Sequence, residues 1–273
     1  MAVLKSFYLA LPCTSILVAF MLTPVLSCNS CTHRSKLAYY HSKRAIKAGA
    51  CGYGSFAARL NGPNVAAASP RLYRDGVGCS ACYQIRCLDP SLCRKTWQKI
   101  VVTDLTTNNQ TDFVVPKHTF AALALPHKGA ALRRKGIVDM EYERIFCEYK
   151  GHNLSAKVDS SSRYPDYLAV EFLYQGGQTD IVNVDVAQVG GFDWKYLTRN
   201  HGAVWNISNP PIGGLQFRFL VTSGYEGYML WARKAVLPPH WKAGGRRLYD
   251  TGLQINQTAL DGCTNSCDVN QRV

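Results

Sequence analysis

Gly78-Cys79-Ser80-Ala81-Cys82-Tyr83-Gln84-Ile85-Arg86-Cys87 carries three cysteines, and Cys51, Cys93 and Cys147 stand around it. Two chemistries use cysteine at this density. A structural zinc site needs a second ligand pair to match Cys79-x-x-Cys82. Cys87 and Cys93 are too widely spaced to supply it, and no histidine stands near them. Disulfides are the remaining reading, and they persist only in an oxidising compartment. The stretch therefore predicts a secreted, cross-linked domain with no metal and no cofactor.

The N-terminus agrees with that compartment. Lys5 precedes an apolar run, Ile16 to Leu22, and Val25-Leu26-Ser27 ends in a small residue suited to cleavage. Residues 1–27 thus read as a secretory signal peptide. Cys13 leaves with it, so the mature chain begins at Cys28 and keeps an even number of cysteines. No later stretch reaches the roughly 18 uncharged apolar residues of a membrane span. Sequons at Asn109, Asn153, Asn206 and Asn256 suit a secreted glycoprotein.

Charge is divided unevenly. Residues 28–150 hold 19 Lys and Arg against 8 Asp and Glu, while residues 151–273 hold 11 against 10. The positive field belongs to the first half. Outside the cell nucleic acid is not the expected partner; acidic polysaccharide, such as de-esterified pectin or glucuronoxylan, is. A basic surface that only solvates the protein is the alternative.

The chain divides near residue 150. Residues 28–150 hold the clustered cysteines and strand-like runs at Tyr83–Cys87, Lys99–Thr103 and Ile137–Tyr142, with one helical segment predicted over His118–Leu125, where Pro126 stops it. Residues 151–165 are polar and turn-rich, suiting a linker or an irregular first strand. Residues 166–256 alternate as strands. Tyr167–Tyr174 ends at a glycine turn. Val182, Val184 and Val186 oppose Asn183 and Asp185, and Leu215, Phe217 and Phe219 oppose Gln216 and Arg218. Met229–Ala232 and Leu253–Ile255 complete a predicted β-sandwich, followed by a tail over 257–273.

Gly49-Ala50-Cys51-Gly52-Tyr53-Gly54, the cysteine stretch quoted above and Thr103-Asp104 together resemble the first domain of expansins. Trp194, Gly202-Ala203-Val204-Trp205 and Val236-Leu237-Pro238-Pro239-His240-Trp241 resemble their second. The flanking pairs Cys28/Cys31 and Cys263/Cys267 are similar to the plant expansin-like A branch. The resemblance implies an all-β chain: a double-psi β-barrel related to family-45 glucanases, then an immunoglobulin-like, cellulose-binding β-sandwich. It also implies the pairings Cys51–Cys79, Cys82–Cys147 and Cys87–Cys93. The four flanking cysteines allow three connectivities, which stay open.

Hydrolysis on such a barrel requires two carboxyl groups, an acid for the leaving oxygen and a base for water. Before Asp75 this chain has no Asp or Glu at all, and Val114 stands where the family places an acid in His-Phe-Asp. Asp112 is near enough to replace it only through a register shift. Asp104 matches the family's Thr-Asp and reads equally as a turn cap or a ligand-facing group. Tyr39, Tyr40 and Tyr53 are candidate sugar contacts or packing residues. In the second domain Tyr167 matches a platform position, and His201 replaces the family's tryptophan. Trp194, Trp205 and Trp241 are divided between platform and core. No residue is assigned as catalytic.

The reading is a monomeric, secreted cell-wall protein. It binds cellulose and matrix polysaccharides and loosens their non-covalent contacts without hydrolysis. The alternatives are a wall-binding protein without loosening activity and, third, a glucan-cleaving enzyme.

Overall fold

In strands, side chains alternate between two faces, and that alternation builds the first half. The computed structural model describes residues 32–40, 49–222, 227–232 and 235–255. The signal peptide, Cys28, Cys31, Cys263, Cys267 and Asn256 lie outside the described residues. Strands β1 (His33–Tyr40), β2 (Val65–Ala68), β3 (Cys82–Cys87), β4 (Gln98–Leu105), β5 (Phe113–Pro116) and β6 (Val138–Ile145) close in the order β1-β5-β2-β4-β3-β6. β1 runs parallel to β5, and β2 runs parallel to β4. This is the double-psi barrel. Its interior holds Leu37, Ile85, Ile100, Val102, Phe113, Met140 and Tyr142. Tyr83, Phe113 and Tyr142 meet there as tilted and edge-on rings, the arrangement their quadrupoles favour.

Among the described residues three disulfides brace the barrel, Cys51–Cys79, Cys82–Cys147 and Cys87–Cys93. They are the pairs the family resemblance implies. Short helices fill the connections: α1 (Ala57–Asn61), α2 (Pro70–Tyr73), α3 (Lys117–Ala122) and α4 (Gly129–Lys135). α3 stands where a helix was expected but ends three residues earlier, with Leu123 as its C-cap. α4 was not anticipated, because only Leu132 of its seven residues is buried, too little to show a helical period.

The second half forms β7 (Ser155–Val158), β8 (Tyr167–Leu173), β9 (Asp180–Gln188), β10 (Lys195–His201), β11 (Val204–Ser208), β12 (Leu215–Thr222), β13 (Gly227–Trp231) and β14 (Tyr249–Asp250). These make one antiparallel sheet ordered β13-β12-β9-β10-β11-β8-β7-β14. β10 lets it fold over: residues 195–197 pair with β9, residues 198–201 pair with β11, and the register shifts between Arg199 and His201. The two leaves close on Phe172, Trp205, Phe217 and Phe219. The result is a sandwich.

One strand expectation is decided between its two readings, and two are corrected. Residues 155–158, inside the stretch read as linker or irregular strand, are β7 and pair with β8. Val182 does not share a face with Val184 and Val186. A bulge opposite Leu220/Val221 leaves it unpaired and 39% exposed, and turns Ile181 inward instead. Leu253–Ile255 is not a strand; Leu253 and Ile255 are buried, but the paired residues are Tyr249 and Asp250.

Polar contacts join the two halves. Arg144 of β6 and Arg74 both pair with Asp180 of β9, at 2.5 and 2.8 Å. Arg199 donates to the carbonyls of Gly76, Gly202 and Ile181. Ala203 donates its N–H to the carbonyl of Cys51 at 3.0 Å. Burial pushes the Asp180 carboxyl up, but Arg144 and then Arg74 outweigh it and hold it below the ordinary carboxylate value.

A carboxyl whose pKa is lower in the folded state contributes stability above its unfolded pKa, and that contribution is lost as pH falls through the folded value. Asp180→Asn, which leaves Arg144 uncompensated, is expected to destabilise the protein by about 3 kcal/mol at neutral pH. The gap should shrink on acidification below about pH 4. Denaturant melts across pH check both; an unchanged neutral-pH midpoint would remove Asp180 from the interface energetics.

Candidate functional site

Gly49 begins a turn that lies directly on β4. A Cβ on Gly49 would stand 2.3 Å from the Thr103 carbonyl oxygen, so no larger residue fits this approach. Asp104, at the end of β4, fastens the turn. Its Oδ1 accepts the N–H of Ala50 at 2.7 Å and of Leu105 at 2.8 Å, while Oδ2 accepts the Tyr40 hydroxyl at 3.3 Å. Burial and then Asp104 push the Tyr40 phenol well up, keeping it protonated as a donor. Asp104 thus caps a turn and, through Tyr40, also reaches the face beside β1. Tyr73, not anticipated from sequence, donates to the Ala50 carbonyl at 3.0 Å.

The face next to Asp104 is apolar. Ala38, Ala67 and Val114 cluster with Tyr40 against them. Val114 pairs with Ala38 on one side and Ala67 on the other, so the position the family gives to an acid carries a valine between two alanines. Asp112 does not replace it. Its Oδ1 accepts from Ser69 at 2.8 Å and its Oδ2 from Arg71 at 2.7 Å, and Arg71 also donates to the Tyr142 hydroxyl. The two aspartates are held by different partners, and among the described residues no second carboxylate hydrogen-bonds to Tyr40 or Asp104.

Two sequence candidates leave the site. Tyr39 alternates away from Tyr40; its ring packs on Phe120 at 4.9 Å and its hydroxyl donates to the Arg133 carbonyl. Tyr53 is buried, sharing a 2.5 Å hydrogen bond with Ser80, and burial pushes its phenol up. Tyr53 is enclosed in the core, and half-buried Tyr39 lies against α3 and α4 instead of beside Asp104.

The turn continues onto the second domain. A Cβ on Gly52 would stand 2.7 Å from Val204 and 3.4 Å from the His201 ring nitrogen Nε2, and one on Gly202 would stand 2.4 Å from the Cys51 Cα. Exposed His201 therefore sits over the turn that Asp104 anchors. Tyr167, half-buried, starts β8 opposite Ser208. Trp194 is half-buried beneath the Arg218 guanidinium, 4.6 Å from its ring. Trp205 and Trp241 are core residues. Phe192, Tyr196 and Trp231, at 93%, 72% and 54% exposure, are among the exposed aromatics that the sequence did not single out, and Tyr196 and Trp231 stand on strands. These two share a row with Asp185 and Arg218 across β10, β9, β12 and β13. Polar Thr198 and Asn200, on the strand face opposite buried Leu197, were the signal available for Tyr196.

Of the sequons, Asn109 lies on an exposed turn, Asn206 is half-buried in β11, and the Asn153 amide donates to Asp250.

A closed barrel with one anchored carboxylate, packed on a sandwich bearing aromatic side chains, defines a two-domain all-β protein. Residues 154–238 match the Expansin C-terminal domain. The chain is 46% identical over 257 residues to Expansin-like A1 of Arabidopsis thaliana, covering 93% of this chain and 96% of that one. It is 48% identical over 244 residues to Expansin-like A2 of the same plant, covering 89% and 91%. To Expansin-like A3 of Oryza sativa subsp. japonica it is 42% identical over 242 residues, 87% of each chain. The chain belongs to the plant expansin family, in its expansin-like A branch. A crystal structure of a mutant Clavibacter michiganensis expansin in complex with cellohexaose shares the fold, with a TM-score of 0.60 at 18% identity, over 82% of this chain and 97% of that one.

If Asp104 anchors the turn, Asp104→Ala should lower stability by about 2 kcal/mol, leaving two backbone donors without a partner. Asp104→Asn should cost less than about 1 kcal/mol, since its amide oxygen still accepts both. Equal melting midpoints for wild type and the alanine variant would deny the anchor.

Proposed function

We propose that this protein is secreted to the cell wall and binds glucan chains along the barrel face and the adjoining second domain. There it disrupts non-covalent contacts between cellulose and matrix polysaccharides without cleaving them. The observation that carries this reading is the composition of the barrel face. Asp104 lies beside Tyr40, with Ala38, Ala67 and Val114 where a second carboxyl would have to stand. Inverting hydrolysis divides its work between two carboxyl groups, and one held by two backbone N–H groups cannot do both. Sugar rings carry flat C–H faces that pack on aromatic and small apolar side chains, with hydroxyls at the edge for a group such as Asp104. The fold's occurrence in an expansin crystallised with cellohexaose supports a glucan as the ligand.

Val114 also favours a second reading, a wall-binding protein that has lost loosening activity. Extension of heat-inactivated walls under constant load separates the two: creep with the purified protein supports loosening, and its absence with cellulose binding intact supports binding alone. Release of reducing sugar from glucan would overturn both.

Tyr167→Ala with His201→Ala is expected to weaken partition onto crystalline cellulose about tenfold, the loss of one to two stacking contacts. Retention equal to wild type would remove that face of the second domain from the binding surface.

A further inference from the structure

The barrel carries a second surface, built by elements other than the anchored turn. Between Asp112 and Asp139 the chain has no acidic residue, yet it holds Lys117, Lys128, Arg133, Arg134 and Lys135, with His118 and His127. The fold gathers these onto one helical hairpin, α3 packed on α4. Its apolar side chains Phe120, Leu123 and Leu132 point into the barrel core, and Tyr39 donates to the Arg133 carbonyl. The cationic side chains are what the hairpin leaves outside: Lys117, Lys128, Arg134 and Lys135 are exposed, and Arg133 is half-buried.

A neighbouring loop extends the patch. Arg94 donates its backbone N–H to Leu123 and its Nε to Ala124, and Leu125 donates to Leu92. The Cys87–Cys93 disulfide ties the same loop to β3. Exposed Arg94 and Lys95 are therefore fixed beside the hairpin. Among the described residues only Lys135 in this group has a carboxylate partner, Asp89 at 2.5 Å. Lys95, Lys117, Lys128, Arg133 and Arg134 form no ion pair there. Several like charges on a braced scaffold repel one another, and an extended polyanion relieves that repulsion.

We propose that the α3–α4 hairpin, with the Arg94–Lys95 loop, is a binding site for the carboxylates of a uronate-bearing polysaccharide. Arginine guanidinium groups pair with carboxylates through two parallel N–H bonds, and lysines add unoriented charge. A chain carrying a carboxylate on successive sugars meets several such groups at once, so single weak contacts add up. An anionic membrane fits less well, because the hairpin exposes no large apolar side chain for insertion; Phe120, Leu123 and Leu132 are all buried. The site is distinct from the glucan face and does not depend on it.

The test uses the full mature protein with polygalacturonate, fully methyl-esterified polygalacturonate, glucuronoxylan and anionic lipid vesicles. Lys128→Gln/Arg133→Gln/Arg134→Gln is compared with Lys150→Gln/Lys242→Gln/Arg246→Gln, which removes equal charge from exposed residues elsewhere. The hairpin variant should bind polygalacturonate at least about tenfold more weakly, and the control within about twofold of wild type. Binding should weaken with added salt as charges are screened, and should be absent for the methyl ester. Whichever of polygalacturonate and glucuronoxylan shows the stronger hairpin-dependent binding identifies the source of the uronate. Single Lys128→Gln and Arg134→Gln variants repeat the comparison should the triple variant fold poorly. Equal weakening by hairpin and control variants, undiminished binding by the hairpin variants, equal retention of the methyl ester, or preference for vesicles would each overturn the proposal. Cellulose partition is read in parallel: it should be unchanged in the hairpin variant. Loss of cellulose binding with polygalacturonate binding intact counts against the glucan reading alone.

Discussion

The turn from Gly49 to Gly52 is gripped from three sides. Below it lies the β4 backbone, close enough to exclude any Cβ at Gly49. At its side Asp104 holds the Ala50 N–H, and Cys51 is bonded to Cys79. Above it Gly202 meets the Cys51 Cα, and the Ala203 N–H reaches the Cys51 carbonyl. One short segment therefore belongs to the barrel's face and to the domain interface together. Gly49 is required by close approach, and Gly52 and Gly202 by close approach together with φ angles of 87° and 51°. Moving the turn would displace Asp104, His201 and the contact between domains at once, which is why the site and the interface share a single set of constraints.

Charge then fixes what the backbone contact begins. Half-buried Arg144 and exposed Arg74 converge on buried Asp180 across the interface, and Lys157 pairs with fully buried Glu171 while lying over the Phe56 ring. Burial of such groups is expensive, and a paired charge in an interior is weak evidence for added stability. Its directional demand is firmer: Asp180 satisfies two guanidinium groups only when the domains meet in one arrangement. An apolar interface of the same area would tolerate sliding. The orientation that carries the barrel face toward His201 thus depends on polar groups whose net energy is small but whose geometry is strict.

The cysteine stretch and the alternation of Leu215–Phe219 were legible because each signal is local. The β-sandwich was read from the strand pattern, while the disulfide pairings and the double-psi barrel were implied by the family resemblance. What escaped had a nonlocal cause. Val182 reads as inward by period two, and only a bulge set by its pairing with β12 turns it out. Tyr39 and Tyr40 are adjacent aromatics with opposite fates, and the sequence does not say which of two strand faces carries the site. Tyr53 sits in a glycine-rich turn, a common place for a functional residue, but the disulfide at Cys51 draws that turn into the core. The tryptophans divided as well, with Trp205 and Trp241 buried and Trp194 covered by Arg218, while smaller Tyr196 stands out in solvent. Exposure of an aromatic depends on its strand's neighbours, which appear only once the sheet is folded.

The single carboxylate carries the functional argument furthest. A general base must direct a free lone pair at water, and a general acid must hold a proton at its working pH. Asp104 places Oδ1 on two backbone donors and Oδ2 on a phenol that burial keeps protonated. With three donors on its two oxygens, the group is an anchored hydrogen-bond acceptor. Val114 supplies no acid to complement it. A sugar hydroxyl, by contrast, is a donor, and an anchored carboxylate beside a small apolar floor is a good acceptor for one edge of a pyranose ring. The barrel face offers one anchored acceptor beside a small apolar floor, and the proposed glucan contact rests on that arrangement.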